Sequence, residues 1–214
     1  MVQSGASLTR ARLAVIMLHG RGSSAKDMLS LGAHLDIPGI AYLAPEADGR
    51  SWWPDSFLAP LAANQPSLSS ALGVVARLLQ YLEGEGFEAE RVALLGFSQG
   101  ACLALEFAAR AGQPLHGIVA MSGGLLGTGE GEGPRRDDLY NYAPKRFDYA
   151  GRLDGSTAFL GCHERDPHIP LSRVRETKGV LERVGAIVTA QVYPGAGHSI
   201  TEEGVRFTRS LLNR

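Results

Sequence analysis

The sequence predicts an α/β fold, a mostly parallel central sheet with helices on both faces. Three observations carry that prediction. Short apolar runs, often β-branched, alternate with stretches of helical periodicity along nearly all of the 214 residues, which is the pattern of successive strand–helix–strand units. The runs are near-continuous in apolar character, as strands buried on both faces require. Between one such run and one helical stretch sits Gly96-Phe97-Ser98-Gln99-Gly100, the context in which a sharp turn lifts a serine out of a sheet.

The elements follow in order. Leu13–Leu18 reads as a core strand closed by His19-Gly20. Six apolar residues are too few for a signal-peptide core or a membrane span, so a cytoplasmic protein with no integral membrane association is expected. Ala25–Leu35 reads as a helix and Ile40–Leu43 as a strand. The clearest helix is Leu68–Leu82, where Leu68, Leu72, Val75, Leu79 and Leu82 fall on one stripe. Val92–Leu95 is a strand, Gln99–Arg110 a helix and Gly117–Met121 a strand. Gly127–Arg136, rich in glycine and glutamate, reads as a flexible surface loop. Ala158–Gly161 resumes the sheet, and Pro170 and Gly185 bracket a helix at Leu171–Val184. A last strand, Ile187–Tyr193, and a last helix, Glu202–Leu212, complete the pattern. No internal repeat interrupts it, and the length suits one substantial domain over residues 1–214.

Composition narrows the partners. Twenty-one lysines and arginines face 22 acids, for a net charge of -1. That balance gives no electrostatic case for nucleic acid or an anionic membrane surface. Cys102 and Cys162 make no disulfide framework and are expected as free, buried thiols.

A serine becomes a nucleophile only with a base beside it and open space before it. Ser98 has the space, and the N–H of Gln99 lies where negative charge would develop. In a parallel sheet, reactive groups belong on loops at the carboxyl ends of strands. That rule selects His198, in Pro194-Gly195-Ala196-Gly197-His198, as the base. His34 falls within a helix and His116 precedes a strand, while His163 and His168 lie before or beside the candidate acid. That acid is Asp166, which follows the strand Ala158–Gly161; Glu164 is its nearest rival. Asp137, Asp138, Asp148 and Asp154 sit near the irregular stretch and are expected in solvent. The order Ser98, Asp166, His198 is that of α/β-hydrolases. A second oxyanion donor is expected from the first strand-to-helix loop, Leu18-His19-Gly20-Arg21-Gly22, at the Arg21 amide, with His19 shaping the loop. This loop is no dinucleotide fingerprint, because Ala25 stands where the third glycine would be.

Taken together, Leu18-His19-Gly20-Arg21-Gly22, Gly96-Phe97-Ser98-Gln99-Gly100, Asp166-Pro167-His168-Ile169-Pro170 and Gly197-His198 resemble the phospholipase/carboxylesterase family of small serine α/β-hydrolases. The resemblance runs from about Leu13 to Leu212. It implies an α/β-hydrolase fold without a large cap domain, no cofactor, and hydrolysis of carboxylic esters or thioesters. By it, Ser98 is nucleophile, Asp166 the acid and His198 the base, with Arg21 and Gln99 amides in the oxyanion hole. A histidine base needs no metal. The segment Pro45–Leu58 resembles bacterial carboxylesterases more than acyl-protein thioesterases, and it carries both tryptophans, Trp52 and Trp53. Adjacent residues cannot easily face the same way, so Trp52 is expected beside Phe57 on the substrate pocket and Trp53 to pin the loop. The only sizeable irregular insertion, about residues 124–156, has a composition that disfavours a stable lid, so Ser98 should be open to water.

The expected activity is that of a serine esterase for short to medium acyl chains acting on a small-molecule ester. Lysophospholipase or acyl-protein thioesterase activity is the alternative. A dienelactone hydrolase would put cysteine where Ser98 stands, and a non-catalytic binding protein of this fold would lack one of the motif residues. A homodimer is left open beside a monomer.

Overall fold

The computed structural model describes residues 1–129 and 134–214. In chain order its elements are β1 (Val2–Gly5), β2 (Leu13–Leu18), α1 (Ala25–Leu35), β3 (Ile40–Ala44), α2 (Ser67–Gly84), β4 (Val92–Phe97), α3 (Gln99–Ala111), β5 (Gly117–Met121), β6 (Thr157–Arg165), α4 (Leu171–Arg183), β7 (Ile187–Ala196) and α5 (Glu202–Leu212). The strands form one sheet in the order β1-β3-β2-β4-β5-β6-β7. All neighbours are parallel except β1, which runs antiparallel to β3 at the edge. Among the described residues no helix is long and apolar enough to cross a membrane.

The pleat divides each strand between two cores. Along β2, Ala14, Ile16 and Leu18 enter one, with residues of α2, α3 and α4; Leu13, Val15 and Met17 enter the other, with residues of α1 and α5. Helix ends follow local chemistry. Ser24 and Asp27 form a capping box at the start of α1, and Asp36 closes that helix in the left-handed region.

Two differences from the sequence expectation matter. First, β1 was not expected: Val-Gln-Ser-Gly is short and mostly polar, and it is held by pairing with the open edge of β3, where Val2 faces Ala44. Second, β6 and β7 run past their apolar stretches, pairing His163 with Tyr193 and, after a bulge, Arg165 with Ala196. That extension brings the loops carrying Asp166 and His198 side by side.

The expected surface loop is corrected at its start. Pro134 and Arg135 are exposed as expected and residues 130–133 lie outside the described residues, but Gly127 and Thr128 are buried, the end of a strap that is buried from Ser122 onward. This strap stays irregular because side chains satisfy its backbone in place of a ladder. Leu125 donates to Thr177 Oγ1 and Leu126 to the buried Glu106 carboxylate, which also takes the Tyr149 hydroxyl. The buried Arg173 guanidinium donates to the Leu125 and Gly127 carbonyls, and Lys145 Nζ donates to that of Leu126. Gly127 N–H reaches the Phe57 carbonyl at 2.6 Å. Composition revealed the irregularity, but burial came from charged residues on α3 and α4 that local sequence does not connect to the strap.

The backbone packing beneath Ser98 leaves no room for a side chain. A Cβ at Gly100 would lie 2.0 Å from the Leu18 carbonyl oxygen, and one at Gly96 would lie 2.3 Å from that of Gly100. Both obstacles are backbone, so neither can give way cheaply. At Gly179, inside α4, an added Cβ meets nothing within 4 Å. Urea denaturation should therefore find Gly100→Ala destabilised by about 3 kcal/mol, and Gly179→Ala stabilised by roughly 0.5–1 kcal/mol. Equal, small effects at both positions would refute the close approach.

Candidate active site

Ser98 is the residue on which β4 turns into α3. Its φ of 53° and ψ of -119° lie in a region that a side chain rarely occupies. The Ser98 N–H donates to the Met121 carbonyl of β5, and its own carbonyl accepts from Cys102, so hydrogen bonds on both sides hold the strained conformation. The hydroxyl therefore stands clear of the sheet, half-buried, at the N-terminus of a 13-residue helix whose first N–H groups and dipole favour negative charge.

The structure brings the three expected side chains together. His198 Nε2 lies 2.9 Å from Ser98 Oγ, and His198 Nδ1 lies 2.8 Å and 3.0 Å from the two Asp166 carboxylate oxygens. Asp166 is 2% exposed. Its Oδ1 also accepts the amides of His168 at 2.9 Å and Ile169 at 3.0 Å. Burial alone would push this carboxyl up; the hydrogen bonds from His198 and from the two amides outweigh it and hold the group below the ordinary carboxylate range. With the carboxylate ionised, Nδ1 carries the proton and Nε2 faces the serine as acceptor. Glu164, the rival acid, is exposed and turns to Arg165 and the Gly195 amide.

Arg21 and Gln99 both line the cleft in front of Ser98. Gly22, at φ 78°, turns the loop, and its N–H donates to the Arg50 carbonyl. His19 is fully buried: Nε2 accepts the Ala47 N–H, so Nδ1 donates to the Gly20 carbonyl. His19 thus ties the loop bearing Arg21 to the segment after β3.

The cleft has a volume of about 570 Å³ and is walled by Trp53, Phe57, Phe97 and Ile169, with His168 beside His198. Here one expectation is corrected. Trp52 does not line the cleft; its indole N–H donates to the His19 carbonyl at 2.9 Å and its ring packs 5.0 Å from the His19 ring. Trp53 faces the cleft instead. The segment is neither strand nor helix, so no periodicity could say which of the two adjacent rings points inward.

Sequence reasoning also missed the Gln99 side chain, which holds Trp52 and Trp53 through their backbone. Its partners lie 47 and 46 residues away, so no local signal marks them. His168 was set aside as a base, yet its ring meets that of His198 edge-on at 4.9 Å. His163 packs under Gly197 and touches Ser199. His116 bonds the Leu211 carbonyl, and His34 is exposed on α1. Asp138, Asp148 and Asp154 form exposed ion pairs with neighbouring arginines. Cys102 and Cys162 are free and buried, and burial pushes each thiol up to about 12. Neither is a ready thiolate. Among the described residues no group of three His, Cys, Asp or Glu side chains is placed to hold a metal ion.

Comparison with known proteins shows the family and the fold. The model of the phospholipase/carboxylesterase family matches residues 2–132. A crystal structure of a phospholipase/carboxylesterase from Dyadobacter fermentans superposes with a TM-score of 0.87 at 38% identity, covering 100% of this chain and 95% of that one. An uncharacterized hydrolase of Mycosarcoma maydis is 35% identical over 130 residues, 52% of this chain and 49% of that protein. Acyl-protein thioesterase 1 of Gibberella zeae is 29% identical over 137 residues, 64% of this chain and 53% of that protein. The chain thus spans about half the length of these two curated relatives.

The surroundings of Asp166 set a pH dependence. Its carboxyl is held down in the folded chain, whereas an unfolded aspartate titrates at about 3.9. The stability it contributes is therefore complete above that range and is lost as the pH falls through the folded-state value. In urea denaturation, the stability gap between wild type and Asp166→Asn should be level above about pH 5 and narrow below about pH 4. A gap that widens in acid would contradict a carboxylate stabilised in its charged form.

Proposed function

The chain belongs to the phospholipase/carboxylesterase family, and from that premise we propose that it is a serine carboxylesterase for short- to medium-chain esters. The observation that carries this reading is the continuous hydrogen-bonded line from Ser98 Oγ through the His198 imidazole to the buried Asp166. We take residues 1–214 as one α/β-hydrolase domain with the site open to water.

In the proposed reaction the ester sits in the cleft with its carbonyl carbon before Ser98 Oγ. His198 Nε2 removes the hydroxyl proton as the Oγ–C bond forms. The carbonyl oxygen becomes an alkoxide between the Arg21 and Gln99 amides at the start of α3. Asp166, unable to move from its amide hydrogen bonds, stabilises the imidazolium and keeps Nε2 aimed at the serine. The imidazolium then gives its proton to the leaving alcohol. Water, deprotonated by His198, attacks the acyl-serine and releases the acid. Trp53, Phe57 and Ile169 offer the acyl chain apolar surface, and the cleft of about 570 Å³ has room for a chain of modest length. Thioester hydrolysis is the second reading, favoured by the similarity to a thioesterase.

A panel of p-nitrophenyl esters and an acyl thioester, assayed on purified protein, tests the reading. A fluorophosphonate probe should label Ser98 alone, and Ser98→Ala should remove both labelling and hydrolysis. Asp166→Asn should slow acylation by roughly 10⁴-fold, while Glu164→Gln should remain within a few-fold of wild type. The reverse ranking would move the acid to position 164. Phe57→Ala should weaken longer chains more than acetate.

A further inference from the structure

Both residues whose amides face the proposed oxyanion use their side chains to grip the same piece of chain. The Gln99 carboxamide accepts the Trp52 N–H at 2.9 Å and donates to the Trp53 carbonyl at 2.9 Å. The Arg21 guanidinium donates to the next two carbonyls, Pro54 at 2.6 Å and Asp55 at 2.7 Å. Four consecutive residues, the last three of which line the cleft, are thereby fastened to the two sides of the hole, one on the loop after β2 and one on the first turn of α3.

An oxyanion donor needs only its backbone N–H, which nearly any residue supplies. The side-chain bonds therefore call for their own account. Residues 51–60 belong to no helix or strand, so their position depends on the bonds they make. The loop bearing Arg21 is equally irregular and is held in turn by Gly22 N–H on Arg50 and by His19 on Ala47. Wall and hole are thus fixed by each other, and a shift in one is transmitted to the other.

We propose that the side chains of Arg21 and Gln99 are positioning residues that lock the oxyanion amides to the acyl-binding wall, so that a substrate seated on Trp53 and Phe57 holds both donors in register. The proposal rests on the esterase reading of Ser98 and on the assignment of the two amides. Loss of one donor costs about 10²–10³ in kcat, and misplacement by a fraction of an ångström forfeits part of that. Because the oxyanion exists only in the transition state, the loss belongs in kcat and not in KM. A wall that was merely pinned would behave oppositely, loosening long acyl chains and leaving the chemistry alone.

The test uses Gln99→Met and Arg21→Met, which keep side-chain length and the backbone N–H but lose the bonds. The readouts are kcat per fluorophosphonate-titrated Ser98 and KM for acetate and hexanoate esters. Affinity for an aryl trifluoromethyl ketone is measured in parallel. Ser98 Oγ adds to the carbonyl carbon of that ketone, its proton passes to His198, and the carbonyl oxygen becomes an alkoxide in the hole. The expected result is a loss of roughly tenfold in kcat for both esters and in ketone affinity, with KM within about twofold. Arg21→Lys, which keeps one donor, should recover part of the loss. Gln99→Glu, which keeps the acceptor for Trp52 and loses the donor to Trp53, should fall between wild type and Gln99→Met, and it serves if the Met variants do not fold. A raised KM for hexanoate alone, with kcat and ketone affinity unchanged, would overturn the proposal, as would no change at all. Failure of the esterase reading looks different: wild type itself would neither label nor bind the ketone.

Discussion

The site hangs on one contact, the seating of the first turn of α3 against the ends of β2 and β4. Gly100 lies against the Leu18 carbonyl and Gly96 against Gly100 so closely that no side chain fits at either position. Three backbones meeting at one point place Ser98 at the tip of a turn it would not choose on conformational grounds. The same contact sets the first amides of α3 beside the loop that leaves β2. The Ser98 hydroxyl standing clear of the sheet, the helix terminus and the position of the loop after β2 are thus consequences of one packing geometry. The strain at Ser98 persists because the surrounding strands and helix over-determine it.

The meeting of Asp166 with His198 depends on the far end of the sheet. β6 and β7 continue their pairing beyond the buried region, so the turn with Asp166 and the turn with His198 leave the sheet together. Asp166 gains its orientation from two amides of its own loop and a further hydrogen bond from His198. The His198 ring is steadied on one side by Phe97, at a ring distance of 5.1 Å. A carboxylate this buried would be costly without those partners, and with them it is a fixed point for the imidazole.

How much of this was legible in the sequence follows from how local each signal is. Leu13–Leu18, Ala25–Leu35, Gly117–Met121 and Glu202–Leu212 are read to the residue, because apolar periodicity and caps act within a few positions. The Gly-x-Ser-x-Gly turn and the strand-end rule were sufficient to select Ser98, Asp166 and His198, which the fold then brings into contact. What was not legible depends on partners distant in the chain. The choice between Trp52 and Trp53 is settled by Gln99 and His19, and the burial of the strap by Glu106 and Arg173. β1 went unseen because its stability comes from an edge and not from its own residues.

The strap between β5 and β6 has the outline of a connecting loop but the energetics of a core. Its amides end on Thr177, Glu106 and the Phe57 carbonyl, so exchange with solvent there requires α3, α4 and the cleft wall to part together. Irregular backbone ordinarily marks the place where a chain opens first and accepts extra residues most readily. Here the relation is inverted. An insertion within residues 124–127 would strip partners from Glu106 and Arg173 together, leaving two fully buried charged groups short of hydrogen bonds.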